Sequence, residues 1–102
     1  MDSSFMRLES KIRQYDQNCD FEKLEKAYLL SKEAHKGQQR ESGEPYIVHP
    51  VEVANILAGL ELDCTSIIAG LLHDTVEDTT CTVEQVREIF GDEVALLVDG
   101  VT

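Results

Sequence analysis

The second half of this 102-residue chain has almost no positive charge. Residues 41–102 hold one base, Arg87, against thirteen acids, whereas residues 1–40 hold eight bases and seven acids. A nucleic-acid-binding face there is excluded, because displacing counterions from phosphates takes Lys and Arg. An anionic membrane would repel it as well. Paired cysteines are also missing: Cys19, Cys64 and Cys81 are odd in number and far apart, with no CxxC among them. Neither a zinc knuckle nor a disulfide framework is expected, and reduced thiols in a cytoplasmic protein fit best. Met1-Asp-Ser-Ser is acidic and no long apolar region follows, so no signal peptide is expected. The longest apolar run, Ile67 to Leu72, falls far short of a membrane span.

What is present is enough for one folded unit. Hydrophobic residues make up 42 % of the chain, too many for a disordered tail. The length allows a core without metal or disulfide staples, in one domain or part of one. Periodicity is helical almost throughout. Phe5, Leu8, Ile12 and Tyr15 recur at spacings of three and four behind the cap candidates Ser3 and Ser4. Asp20 opens a second helix with Leu24, Ala27, Tyr28 and Ser31 on one stripe, and Gly37 is its stop. Residues 37–48 form the only substantial loop. Pro50 suits the first position of a third helix, which places His49 at or just before its cap. Asp63 caps a fourth helix, whose apolar stretch 67–72 predicts a central, buried position. Thr82-Val-Glu-Gln85 is a capping box for a fifth helix stopped by Gly91, and Asp92 begins a sixth segment. The expected fold is all-α. The chain ends at Asp99-Gly-Val-Thr102 with no polar tail, which reads as a cut within a longer protein.

The chemistry concentrates in His73-Asp74-Thr-Val-Glu77-Asp78. On a helix, His73, Glu77, Asp74 and Asp78 fall at about 0°, 40°, 100° and 140°. Desolvating three carboxylates together is costly unless a cation neutralises them or they take up protons. Imidazole beside carboxylate suits a borderline divalent ion such as Mn²⁺, Fe²⁺ or Zn²⁺. His73 and Asp74 can reach one ion from a helix end, with Glu77 and Asp78 a turn further on to hold and deprotonate a water. His49 is either a third ligand or a capping or core histidine. His35 reads as a structural histidine. Arg40, in the loop, is either solvated or free to stack on a base or fork onto phosphate.

Three stretches resemble one family. Ala34-His35-Lys-Gly37-Gln38-Gln-Arg40-Glu-Ser42-Gly43-Glu44-Pro45-Tyr46-Ile-Val-His49-Pro50 resembles the start of the hydrolase domain of RelA/SpoT homologues. Leu71-Leu72-His73-Asp74-Thr-Val-Glu77-Asp78-Thr79 resembles its metal-binding motif, and Phe90 to Thr102 the segment that follows. The resemblance covers about residues 20–102 and implies the N-terminal part of an all-α HD-superfamily phosphohydrolase domain; residues 1–19, outside it, are expected to form an N-terminal helix. It implies a Mn²⁺-dependent removal of the 3′-pyrophosphate from guanosine tetra- and pentaphosphate, the stringent-response alarmones. By that likeness His49, His73 and Asp74 are metal ligands, and Glu77 and Asp78 position and activate the water. Arg40 packs against the guanine and Ser42 lines the nucleotide site. Glu41 departs from the family, many of whose members have a base there. A further Asp ligand is expected beyond Thr102, so the fragment alone should be nearly inactive, and uncovered apolar surface on the fourth and sixth helices should favour self-association. An HD phosphohydrolase of another nucleotide, or a regulatory module with a vestigial site, are the competing readings.

Overall fold

Residues 3–100 are described by a computed structural model. Six helices follow one another: α1 (Ser3–Tyr15), α2 (Phe21–Ala34), α3 (Val48–Gly59), α4 (Cys64–Asp78), α5 (Val83–Phe90) and α6 (Asp92–Gly100). No β-strand forms among the described residues; the extended segment of the 37–48 loop makes a single bridge, Gln39 to Pro45. The expected all-α architecture is what the structure has. Among the described residues no helix is long and apolar enough to cross a membrane. Val101 and Thr102, the end of the third resembling stretch, lie outside the described residues.

Helix α4 is the axis of the molecule, packed against α2, α3 and α6, while α1 lies on α3 and α5 on α6. The apolar run makes this possible: Ile67, Ile68, Leu71 and Leu72 are all buried, on several sides of the helix. Gly70 lets α3 approach closely, since a Cβ there would meet Leu57 Cδ1 at 2.9 Å. The stripe of α1 is buried too, with the Phe5 ring stacked on Tyr28 of α2 at 4.3 Å.

The helix ends follow their local chemistry. Asp20 accepts a hydrogen bond from the Lys23 amide at the start of α2. Thr82 and Gln85 close the reciprocal capping box of α5, and Gly91, at φ +97°, turns the chain into α6 in a conformation that a side chain would resist. Four expectations shift. Ser3 and Ser4 lie inside α1 rather than capping it. Helix α2 ends at Ala34, three residues before the positive-φ Gly37. Helix α3 begins at Val48, so Pro50 is its third residue and His49 lies in its first turn. The reason is upstream: the Val48 and His49 amides bond the carbonyls of Pro45 and Tyr46, drawing those residues into the helical spiral, and Pro50 is still early enough to need no donor. Asp63 stands at the cap of α4, but its carboxylate takes the Ser66 hydroxyl instead of a backbone amide.

The cysteines require a larger correction. Cys19 and Cys64 form a disulfide, with Cα atoms 5.3 Å apart, so the expectation of three reduced thiols does not hold. Distance along the chain misled: the α1–α2 turn folds back onto the start of α4, bringing together residues separated by 45 positions. Cys81 is the free thiol, and burial raises its pKa.

Candidate metal centre

The last two turns of α4 present His73, Asp74, Glu77 and Asp78 toward one end of the bundle, as helical spacing requires. Ligand-capable atoms of His73, Asp74 and Glu77 all lie within 4.8 Å of one another. His49 arrives from the first turn of α3, with Nε2 3.3 Å from Asp74 Oδ2. On the other side of the same carboxylate, His73 Nδ1 lies 3.5 Å from Oδ1. Asp74, with its side chain 20 % exposed, therefore stands between the two imidazoles.

His73 Nε2 is buried and has no hydrogen-bond partner; its nearest anionic neighbour is Glu77 Oε2 at 3.8 Å. A buried ring nitrogen without a partner is costly, and two imidazoles among carboxylates form the donor set of a borderline divalent cation. The residues present fit such an ion.

Other expected site residues lie elsewhere. Asp78 is exposed and touches this cluster through Tyr46, whose hydroxyl donates toward Asp74 Oδ2 at 3.3 Å and Asp78 Oδ2 at 3.5 Å. Arg40 leaves the loop to pair with Glu52 of α3 at 3.2 Å. Glu52 is exposed and stands three residues after His49, about one turn along α3. Ser42 is exposed and donates to Glu44. An open cleft of about 400 Å³ adjoins the centre, bordered by His49, His73 and Asp74 and by the apolar side chains of Val53, Leu57 and Leu97.

A polar layer supports the centre from behind. His35, buried as a structural histidine should be, has Nδ1 3.0 Å from Gln38 Oε1 and Nε2 3.3 Å from Thr75 Oγ1. Gln38 donates its amide to the Asp78 carbonyl. That orientation implies the His35 tautomer with its proton on Nδ1. Thr75 Oγ1 also lies 3.0 Å from Ser31 Oγ. The His35 ring packs on Tyr46 at 4.6 Å, and Tyr46 meets the edge of His49 at 5.8 Å. Burial, reinforced by Asp74 and Asp78, raises the Tyr46 pKa, so its hydroxyl stays a donor. Sequence reading passed over Tyr46 and Gln38. The available signal was Tyr46 three residues before His49, at the spacing of one helical turn.

Residues 27–102, well over half of the chain, match the HD domain family. The chain is 54 % identical over 101 residues to a GTP pyrophosphokinase of Myxococcus xanthus, covering 99 % of this chain and 13 % of that protein. It is 47 % identical over 98 residues to the bifunctional (p)ppGpp synthase/hydrolase SpoT of Escherichia coli, covering 96 % and 14 %. Against a guanosine-3′,5′-bis(diphosphate) 3′-pyrophosphohydrolase of Aquifex aeolicus the identity is 50 % over 95 residues, covering 93 % and 13 %. The chain thus spans about one-seventh of the length of these relatives. It belongs to the HD domain family, and within that family its similarity is to RelA/SpoT-type (p)ppGpp synthases and hydrolases.

Proposed function

We propose that this chain forms the N-terminal part of a longer RelA/SpoT-type protein, whose HD domain removes the 3′-pyrophosphate of (p)ppGpp with Mn²⁺. The products are GDP or GTP and pyrophosphate. The observation that carries this reading is the buried, unpartnered His73 Nε2 in the group of His73, Asp74 and Glu77, with His49 against the Oδ2 oxygen of Asp74. The relatives' names divide between kinase and hydrolase; the intact acid–imidazole cluster favours hydrolysis.

His49, His73 and Asp74 would hold the cation, joined by an Asp from beyond residue 102. When bound, a divalent ion supplies Lewis acidity toward a phosphoryl oxygen and lowers the pKa of water. Glu77 and Asp78 then orient the attacking water and accept its proton on a carboxylate oxygen. Arg40, freed from Glu52, would pack on the guanine, and Ser42 would line the nucleotide site. A soluble nucleotide substrate places the reaction in the cytoplasm. The apolar border of the cleft is where later segments of the parent would lie, and the isolated chain would cover it by self-association.

The test is pyrophosphate release from guanosine tetraphosphate by the full-length parent. Release should require Mn²⁺ and fall at least a hundredfold in Glu77→Ala, within the range of a general base. Metal-independent release, or release untouched by that substitution, would refute the reading. Residues 1–102 alone should bind Mn²⁺ only weakly.

A further inference from the structure

We propose that Tyr46 is a positioning residue of the metal centre: its hydroxyl orients Asp74 and Asp78, so that one carboxylate is set for the cation and the other for water. The inference rests on the metal-centre reading above and deepens it.

The hydroxyl lies 3.3 Å from Asp74 Oδ2 and 3.5 Å from Asp78 Oδ2, on carboxylates of successive turns of α4. It has one proton, which it donates to either acceptor in turn. Asp74 Oδ2 also faces His49 Nε2, while Oδ1 faces His73. Tyr46 and His49 together therefore hold one oxygen of Asp74, which fixes the direction of the other. Among the described residues, exposed Asp78 has no other side-chain hydrogen bond that would choose among its rotamers.

Tyr46 can impose an orientation because it is itself held. Its amide donates to the Gln38 carbonyl at 3.0 Å, and its carbonyl accepts from the His49 amide at 3.0 Å. Its ring packs on buried His35, which is fixed in turn by Gln38 and Thr75. Partners of this kind behind a ligating carboxylate commonly contribute ten- to a hundredfold to metal affinity (~10–100). Tyr46 touches no reacting atom, so its effect acts through Asp74 and Asp78.

Two readouts on residues 1–102 test this. In the metal-free chain, NMR couplings across the Cα–Cβ bonds report the rotamers of Asp74 and Asp78. Wild type should show one dominant rotamer at each, and Tyr46→Phe, which keeps the ring and removes the hydroxyl, should show averaging with little change in Tm. Titration with Mn²⁺, read by paramagnetic broadening, should give a dissociation constant about tenfold higher in Tyr46→Phe than in wild type. His73→Ala should abolish the broadening. Unchanged rotamers in Tyr46→Phe, unchanged Mn²⁺ affinity beside a His73-dependent wild-type site, or a Tm loss as large as in Tyr46→Leu would each overturn the positioning role alone. Absence of His73-dependent broadening in wild type would overturn the metal reading and the proposal with it.

Discussion

At the scale of single residues, the polar groups behind the centre matter as much as those facing it. Thr75 is fully buried and its hydroxyl serves both Ser31 and His35. Thr75→Val keeps the shape and leaves those two partners without it in the interior. It should cost about 1–3 kcal/mol, the desolvation penalty of unpaired buried groups. Urea denaturation measures this, and a loss under about 0.5 kcal/mol would show that the network contributes little. The sequence revealed His73, Asp74, Glu77 and Asp78 because one helix turns their spacing directly into proximity. His49 comes from another helix, and the residues alone left it either a third ligand or a capping or core histidine, because no local pattern encodes a meeting of α3 and α4. Tyr46 was harder still, since its place three residues before His49 counts as a cue only once the helical spiral is known to begin upstream of Pro50. Arg40 is expected to be solvated or free for a base or phosphate, whereas it pairs with Glu52, twelve residues on in α3.

The elements show where local chemistry suffices. Thr82-Val-Glu-Gln85 contains both donors and both acceptors of its capping box, so the start of α5 was legible from four residues. Thr82→Ala should cost about 1 kcal/mol, the usual worth of such a cap, in a two-state melt; an unchanged Tm would mean that packing on α6 alone holds α5. The start of α3 was misplaced because a proline marks where a helix is permitted to begin, not where it must. Val48 and His49 enter the spiral through bonds to Pro45 and Tyr46, and the loop that sets this up depends on the Tyr46 amide reaching back to Gln38.

At the scale of the whole molecule, α4 joins two features: its first residue carries the disulfide and its last turns carry the candidate centre. Closing a loop of this length removes about 4 kcal/mol of conformational entropy from the unfolded chain in the simplest treatment. Reduction, or Cys19→Ser, should therefore lower Tm by roughly 15–30 °C, since each kcal/mol moves the midpoint of a chain this size by about 4–8 °C. Equal melting with and without a thiol reductant would contradict this. The layered helical architecture followed from periodicity, but the bridge did not, because it joins residues that meet only after α1, α3 and α4 have assembled.

The bridge also divides the site topologically. Residues 19–64 form a closed ring that contains His35, Arg40, Ser42, Tyr46 and His49, while His73, Asp74, Glu77 and Asp78 lie on the open strand leaving it. The centre is thus assembled between a covalent circle and a tail. A backbone cut in the Gln38–Pro45 loop opens the circle without releasing either piece: Tyr46 and His49 stay on the same backbone as α4, and the sulfur–sulfur bond becomes the covalent tie that keeps His35 joined to them.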